Sequence, residues 1–452
     1  MRRPAFASGF DGPARRLSVA VGRLPRGGLA LVALVLLALA LRLAWIGYVD
    51  TSPRDGRFDD TLWYDRSAQH IASGRGYLFF DEAPTAAWPV GYPAFLAGIY
   101  RVTDDSVLAA EVANAFLGAL TVLGVYALGA LVFGRRAGWV AALVLTFFPN
   151  QVIFAGLVMS EILCAFLLLL ALLAAVYLTL NSQRLRWWGP AVVGALIGLT
   201  AMVRGEFLLF FLVPLLPWRL MLGSWRKALG YGAVAFVAMA LVLTPWTVRN
   251  WVRLDYPVVV ATGAVANLLA GHWDGANGAG TFTPGNAIQE QYIHLPNPER
   301  EIVVYKAHIR KAFAWAVRHP WQELTLVPRK LYHLYRADSA GIQWSQTRPV
   351  MGEEVMDFFT ASSNGYYYIV GGWMLLSLPA WWRLRDPKRL LLILTLFYFS
   401  FMFGVAFIGD LRYHFALVPA AVVLASPALV AVWEHVTRRE EAGLERVEVT
   451  SP

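Results

Sequence analysis

The chain has 452 residues, of which 58% are hydrophobic and 15% are charged, and its mean hydropathy is +0.51. A soluble chain of this length usually carries about 25% charged and about 45–50% apolar residues. The composition therefore argues against an ordinary soluble enzyme, a disordered chain and, despite a formal net charge of +9, a nucleic-acid-binding protein.

The first long apolar run, at 29–48, is the first predicted element. A membrane-spanning helix needs roughly 20 apolar residues. The run ends in Trp45 and Tyr48 and has no obvious cleavage site, which favours a span over a secretory signal. Further apolar runs lie at about 107–133, 139–180, 189–218, 228–247, 364–382, 390–409 and 413–433.

Two of these runs are interpreted as pairs of crossings. The run 139–180 is too long for one span, and we expect a break between Pro149 and Ser160. The run 189–218 is interrupted by Arg204-Gly205-Glu206 and is interpreted as two short passes. The sequence therefore predicts an all-α polytopic membrane protein with about ten spans.

The positions of the basic residues support a count of about ten spans. Each short connection that this count places in the cytoplasm is basic, as the positive-inside rule expects. These residues are Arg135, Arg136, Arg184, Arg186, Arg219, Arg226, Lys227, Arg383, Arg385, Lys388, Arg389, Arg438, Arg439 and Arg446, with six arginines in the N-terminal tail. We predict a multi-pass protein of the plasma (inner) membrane with both termini in the cytoplasm.

The domain organisation follows from these spans. We predict a basic cytoplasmic tail at 1–28, a membrane module of about seven spans at 29–247, a large external region at 248–363, about three further spans at 364–433 and a cytoplasmic tail at 434–452. The membrane module contains a first external loop at 50–106, and both external regions are too long for plain connectors. Within the second region, 301–336 has helical periodicity and is predicted to lie on the membrane surface over the site.

Three carboxylates of the first external loop, Asp59, Asp60 and Asp65, stand within seven residues. They could be solvated helix N-caps, but a carboxylate beside the bilayer is costly unless it is paired or functional. Arg57 and Arg66 are candidate partners for Asp59 or Asp65. Asp60 is then the candidate free base, and a carboxylate partly removed from water suits that task.

The same loop resembles that of membrane glycosyltransferases with the GT-C fold. The closest branch is the protein mannosyltransferase-like and aminoarabinose transferase-like enzymes, which form glycosyltransferase family 39 and its bacterial relatives. The resemblance rests on Asp60-x-x-Trp63-Tyr64, Ala68, Gly74-x-Gly76-Tyr77, Pro84-Thr85-Ala86 and Pro89-x-Gly91-Tyr92-Pro93. It implies that an Asp of this loop is the catalytic base. The spacing to Tyr64 favours Asp60, and Asp59 remains the alternative.

Later segments extend the resemblance through most of the chain. They are Phe133-Gly134-Arg135-Arg136-Ala137, Leu157-Val158-Met159-Ser160-Glu161, Val203-Arg204-Gly205-Glu206, Thr244-Pro245-Trp246-Thr247-Val248-Arg249-Asn250 and Asp410-Leu411-Arg412-Tyr413. Many relatives have twelve or more spans, whereas this chain is predicted to have about ten.

The resemblance implies an inverting transfer of a sugar from a polyprenyl-phosphate donor on the external face. Such a reaction needs a base for the acceptor hydroxyl and cations for the leaving phosphate. Besides the aspartates, we expect Glu161 as a second acid that binds the acceptor or orients Asp60. Arg249 and Arg412, and less strongly Arg204, are predicted to bind the donor phosphate, because they fall at outer helix ends. Tyr64, Asp410, Tyr413 and His414 are further site candidates, and Arg42 near the outer face is a fourth converging arginine.

No cofactor is required by this chemistry, and the histidine spacing defines no metal site. A divalent ion bridging the acids and the phosphate is an alternative that nothing in the sequence requires. The predicted partners are the lipid-linked donor, a lipid, glycan or protein acceptor, and membrane lipids, but no nucleic acid. Rival interpretations are a polysaccharide polymerase or ligase of another membrane fold, a secondary transporter and a non-enzymatic scaffold or receptor.

Overall fold

The computed structural model describes residues 27–49, 51–54, 59–346, 352–381 and 385–449. Within these ranges the chain is helical, and its only β pairing is an isolated bridge between Leu78 and Pro84. The predicted all-α fold class is therefore confirmed. Most of the predicted basic N-terminal tail, together with Arg57 and Arg383, lies outside the described residues.

The N-terminal half forms the larger part of the bundle. Its helices are α1 (Gly27–Tyr48), α2 (Asp60–Ala72), α3 (Gly91–Thr103), α4 (Val107–Phe133), α5 (Arg135–Thr146), α6 (Pro149–Ile153), α7 (Glu161–Leu185), α8 (Trp188–Val203), α9 (Leu215–Leu222) and α10 (Trp225–Leu254). Helix α4 packs against α1, α5 and α7, and α8 packs between α7 and α10. Small residues allow these close approaches: a methyl group on Gly194 of α8 would clash with the Ala235 carbonyl of α10.

The C-terminal half adds short helices and then the last spans. These elements are α11 (Ala264–Ala270), α12 (Thr283–Gln291), α13 (Glu299–Arg318), α14 (Pro320–Tyr335), α15 (Ala340–Gln346), α16 (Glu353–Leu376), α17 (Leu378–Trp381), α18 (Pro387–Phe401) and α19 (Val418–Val449). The predicted helical segment 301–336 is thus two helices, α13 and α14.

Helix α14 packs against the end of α18 and the short π-helix Met402–Ala406 that follows it. The Tyr335 hydroxyl lies 2.9 Å from the Ser400 hydroxyl, and the buried Lys330 ammonium donates to the Val405 carbonyl over 3.2 Å. A cation suits this position, because carbonyls at a helix end have no partner within the helix. The contact fixes the chain just before residues 410–413.

Breaks in the apolar runs place charged residues at helix ends. The predicted break in 139–180 lies at residues 157–160, immediately before Glu161 begins α7. The predicted interruption of 189–218 is also present. Helix α8 ends at Val203, Arg204 has extended backbone dihedrals, and a 3-10 helix, Gly205–Leu212, follows.

The predicted number of ten spans is not confirmed. Among the described helices, seven are long and apolar enough to cross a membrane, or eight if the bent pair Arg135–Thr146 and Pro149–Gly156 is one span. Helix α8 has only 16 residues, about 24 Å of helix against a hydrocarbon core of about 30 Å. Helix α16 begins with Glu353 and Glu354 and is not among the seven.

Candidate active site

A cluster of ion pairs joins four distant parts of the chain. Arg412 donates to the Asp60 carboxylate over 2.6 Å, and its Nε lies 3.3 Å from Glu161. Arg204 donates to the same Glu161 oxygen over 3.0 Å and to Glu206 over 2.6 Å. We call these five residues the charge cluster. Its side chains are 2–23% exposed, so the charges are largely removed from water.

The start of α2 separates the two candidate bases. Asp59 is the N-cap of α2, and its Oδ1 accepts hydrogen bonds from the Thr61 and Leu62 amides and the Thr61 hydroxyl. This is the usual role of an Asp immediately before a helix. Asp60 is the first helical residue, and its carboxylate binds Arg412 instead. The pair thus consists of one capping carboxylate and one carboxylate in the charge cluster.

Glu161 is the acid most deeply placed in the cluster. It is the first residue of α7, where the helix dipole favours a negative charge, and its side chain is 2% exposed. One carboxylate oxygen is shared by Arg204 and Arg412, whereas the other, Oε2, is buried without a hydrogen-bond partner in the described chain. An unpartnered buried acceptor of this kind is available to a substrate donor group.

Arg412 is held in place by its neighbours as well as by the acids. Its backbone amide donates to Asp410 over 2.8 Å, so the predicted site residue Asp410 forms the turn that presents Arg412. The guanidinium lies 4.8 Å from the ring centre of Trp344. Burial alone would lower the pKa of Arg412, but the carboxylates of Asp60 and Glu161 outweigh burial and raise that pKa, so the guanidinium stays charged.

The two predicted tyrosines line the cluster. The Tyr64 hydroxyl donates to the Ser160 hydroxyl over 3.3 Å. Burial, together with the negative charges of Asp60 and Glu161, raises the pKa of Tyr64, so this phenol stays neutral. The Arg204 guanidinium lies 5.2 Å from the ring centre of Tyr413, and the Tyr413 hydroxyl accepts a hydrogen bond from the Asn267 side chain over 3.0 Å.

The structure does not bring Arg249 into the charge cluster. Arg249 donates to the backbone carbonyls of Tyr77 and Thr85 over 2.6 and 2.7 Å, and it stacks 4.9 Å from the Trp246 ring centre. Two of its described hydrogen bonds therefore bind the first external loop, and a third goes to the side chain of Asn250. The phosphate contact of Arg249 stays a prediction. Arg42 is buried within α1 and donates to the Ala38 carbonyl. Of the four arginines, only Arg204 and Arg412 meet the acids.

His414 lies beside the cluster in a separate buried network. Its Nε2 is 3.1 Å from the Asp338 carboxylate, and its Nδ1 is 2.7 Å from the Leu334 carbonyl. Asn150 also donates to Asp338. Because both ring nitrogens of His414 are engaged with protein groups, the histidine supports the backbone next to Arg412.

Some members of the site had no recognised signal in the sequence. Glu206 stands two residues after Arg204 and pairs with it, but no role followed from the motif. Trp344 is distant in sequence from Arg412 and contacts it only in the folded chain.

The predicted partners of the loop aspartates are partly different in the structure. Asp65 pairs with Arg54 over 2.9 Å rather than with Arg66, which instead lies over the Phe80 ring. The described residues contain no group of three or more His, Cys, Asp or Glu arranged to hold a metal ion.

Comparisons with known proteins identify the fold. A family model described as dolichyl-phosphate-mannose-protein mannosyltransferase matches residues 87–248. A search of curated proteins gave no match. An oligosaccharyltransferase of Archaeoglobus fulgidus, crystallised with zinc and sulfate, superposes with a TM-score of 0.54 at 17% identity, covering 92% of this chain and 51% of that chain.

Two further solved structures are similar to this chain. AglB from Archaeoglobus fulgidus, in complex with an inhibitory peptide and a dolichol-phosphate, has a TM-score of 0.51 at 15% identity over 91% of this chain and 52% of its own. ArnT from Cupriavidus metallidurans, bound to undecaprenyl phosphate, has a TM-score of 0.45 at 14% identity over 90% and 78% of the two chains. This chain spans about half the length of the two archaeal structures.

The protein is a polytopic membrane protein with the GT-C fold. The resemblance predicted from the sequence, to GT-C membrane glycosyltransferases of the protein mannosyltransferase-like branch, is confirmed, and the matching family model covers less than half of the chain.

Proposed function

We propose that the protein transfers a sugar from a polyprenyl-phosphate carrier to an acceptor at the external face of the membrane. The observation that carries the proposal is the charge cluster, in which Asp60 and Glu161 meet Arg204 and Arg412. Acids serve the nucleophile in such a reaction, and guanidinium groups serve the departing phosphate. The GT-C fold and the family model are compatible with this chemistry.

Asp60 is the proposed general base. The acceptor hydroxyl loses its proton to the Asp60 carboxylate while its oxygen forms a bond to the anomeric carbon. The bond between that carbon and the phosphate oxygen breaks on the opposite face, and the electron pair leaves with the polyprenyl phosphate. A single displacement of this kind needs one base and inverts the anomeric centre, through a transition state with oxocarbenium character.

Arg412 is the proposed phosphate ligand, with Arg204 beside it. In the described state Arg412 is engaged by Asp60 at 2.6 Å. A donor phosphate at Arg412 would compete with that carboxylate, and Arg binds phosphate well because its planar fork donates two parallel hydrogen bonds. Donor binding therefore releases Asp60 for its role as base. Glu161, which Arg204 and Arg412 share, keeps both cations in place during the exchange.

Glu161 is also the proposed acceptor ligand. Its Oε2 is buried without a described partner, and a hydroxyl or amine of the acceptor would satisfy it. The proposed donor class is supported by the dolichol-phosphate in the AglB complex. The acceptor is a lipid, a glycan or a protein. The peptide bound to AglB does not select among them, because the likeness to that structure is one of fold.

A secondary transporter is the main alternative from another class. Such carriers place their charged binding groups near the middle of the membrane. Asp60, Arg204 and Arg412 lie outside the candidate spans, and Glu161 is the first residue of one. This placement at helix ends favours an enzyme that acts at the membrane surface. Placement of the cluster on the external side is a prediction from the charge pattern of the connections.

The test supplies the purified protein with a panel of polyprenyl-phosphate sugars and measures sugar release. We expect one donor to be consumed with formation of free polyprenyl phosphate, and Asp60→Asn to abolish most of the turnover. Movement of an intact substrate across proteoliposomes, without cleavage of any donor, would instead establish a transporter. Full turnover in both Asp60→Asn and Asp59→Asn would favour a polymerase or ligase with a different site.

A further inference from the structure

A groove runs between α1, α5 and α19 along the N-terminal half of α1, which is the half farther in sequence from Asp60. It has a volume of about 410 Å³ and is apolar, and its lining includes Ala30, Ala33, Leu37, Trp139, Leu143 and Trp433. Volumes of 300–1,000 Å³ are typical of ligand sites. Helix α1 has 22 residues, about 33 Å of helix, so the groove and the charge cluster lie near opposite ends of it.

The register of the helices gives the groove a polar mouth. Arg135, Trp139 and Leu143 follow one another at intervals of four residues on α5, so they lie on one face. The Arg135 guanidinium covers Gly27 at the start of α1, where any Cβ would clash with it. Ala30, Ala33 and Leu37 then continue along α1 from that mouth.

The length of the groove matches one leaflet of a bilayer. From Gly27 to Leu37 is ten residues, about 15 Å along a helix, and half of the hydrocarbon core is also about 15 Å. Trp139 and Trp433 lie near the mouth, where indole rings favour the membrane interface. Arg135 is thus at headgroup level when the rest of the groove is at acyl-chain level.

The mouth is positively charged. The neighbouring Arg136 is paired with Glu434. Arg135, in contrast, is exposed and makes no ion pair with any residue in the described ranges. An exposed arginine over an apolar groove is complementary to an anionic headgroup with an attached acyl chain, because the charge binds the phosphate and the groove buries the chain.

We propose that this groove binds one acyl chain of an anionic phospholipid, whose phosphate is held by Arg135. The site is separate from the charge cluster and does not depend on the transferase function. It is a structural lipid site in the leaflet opposite to the one that borders the charge cluster.

The test uses the full chain in detergent after removal of lipid. Phosphatidylglycerol and phosphatidylcholine with identical acyl chains are titrated into the protein. Native mass spectrometry counts the bound lipids, and the midpoint of thermal unfolding is measured for the same samples. We expect phosphatidylglycerol to be retained and to raise the midpoint more than phosphatidylcholine. Arg135→Gln should lower the affinity for phosphatidylglycerol about five-fold and that for phosphatidylcholine by less, because the choline cation offsets the charge of the phosphate that Arg135 binds. Inorganic phosphate should not compete, because it lacks the chain.

Two variants with the same added residue test the groove itself. Ala33→Trp fills the lining and should abolish retention of both lipids, whereas Val32→Trp adds the same ring at a lipid-facing position outside the lining and should retain both. Ala30→Leu fills less volume and serves if Ala33→Trp misfolds. Equal binding of the two lipids in the parent chain and Arg135→Gln would overturn the proposal. Unchanged lipid retention in Ala33→Trp would also overturn it. A dimer of the parent chain that is absent in Ala33→Trp would overturn it as well, because a second copy of the chain would then fill the groove.

Discussion

Asp60→Asn is the sharpest perturbation of the proposed site. The change keeps the size of the side chain and removes its charge, so the residue can no longer accept a proton. A positioned general base contributes about 10²–10⁴-fold in rate, which corresponds to about 3–5 kcal/mol of barrier. We therefore expect kcat to fall by at least 100-fold.

The fold should survive this change. Removing one partner of a fully buried ion pair costs about 3–5 kcal/mol. The Asp60 and Arg412 side chains are 23% and 16% exposed, and Glu161 keeps a second contact to Arg412 at 3.3 Å. The asparagine carbonyl can also still accept from Arg412. The expected loss of unfolding free energy is therefore smaller, about 1–2 kcal/mol, and thermal unfolding in detergent would measure it.

Donor affinity should change in the opposite direction to turnover. In the parent protein the donor phosphate competes with the Asp60 carboxylate for Arg412, and a neutral amide competes less. We expect KM for the donor to fall while kcat falls, measured with a labelled polyprenyl-phosphate sugar in proteoliposomes. The matched control is Asp59→Asn. Asparagine also caps helices well, so that variant should keep most of its turnover and stability.

Two outcomes would refute the reasoning. A kcat for Asp60→Asn within ten-fold of the parent value would remove Asp60 as the base. Loss of turnover in Asp59→Asn with Asp60→Asn unaffected would transfer the role to the other aspartate of the pair.

Three other predictions concern Arg412, Arg249 and Lys330. Arg412→Ala should raise the donor KM by at least ten-fold, because it removes the arginine shared by Asp60 and Glu161; an unchanged KM would argue against a phosphate at Arg412. Arg249→Ala should lower stability by about 2–4 kcal/mol, since two charged hydrogen bonds to the first external loop are lost, and limited proteolysis of that loop should accelerate while the donor KM stays constant. Burial lowers the pKa of Lys330 from 10.5 to about 8, opposed by Glu323. Between pH 8 and 10.5 the unfolded chain binds one more proton at this lysine than the folded chain, so the stability of the parent should rise with pH relative to that of Lys330→Met. Thermal unfolding of both proteins across this pH range measures the difference. Unfolding temperatures that change with pH in the same way in both would contradict the lowered pKa of Lys330.

Part of the site could be predicted because charged residues stand out against apolar spans. Glu161, Arg204 and Arg412 each interrupt or border a long apolar run, and Asp60 stands in the loop after the first run. The topology then assigns all four to one side of the membrane. Helix ends on the same side of a bundle lie close together, so their convergence follows from topology. Their individual pairings do not, because they depend on the angles between helices.

Arg249 illustrates what local sequence cannot decide. Like Arg412, it stands near a helix end, within two residues of an aromatic residue, and in a motif that resembles the same family. The two differ only in what the fold brings opposite them. Arg249 meets the carbonyls of Tyr77 and Thr85, whereas Arg412 meets two carboxylates.

The span count could not be obtained from hydropathy alone for a related reason. Helix α8 is short for a full crossing and packs between α7 and α10, so neighbouring helices bury part of its surface. A sliding window counts apolar residues whether they face lipid or protein. Runs such as 189–218 therefore satisfy the composition of two spans, although only Gly205–Leu222 meets the length criterion.

The charge balance of the cluster predicts an order of substrate binding. Three carboxylates, Asp60, Glu161 and Glu206, face two guanidinium groups, so the cluster is already rich in acid and Asp60 is held by Arg412. We propose that Asp60 takes the proton of the acceptor hydroxyl only after Arg412 has released the carboxylate. Donor phosphate must first take its place at Arg412, and we therefore expect an ordered mechanism in which the donor binds before the acceptor. The expected product-inhibition pattern is competitive for released polyprenyl phosphate against the donor and non-competitive for it against the acceptor. Tight acceptor binding in the absence of any donor that is lost in Asp60→Asn would show that Asp60 is free without the exchange. The proposed link between phosphate binding and base release would then be wrong.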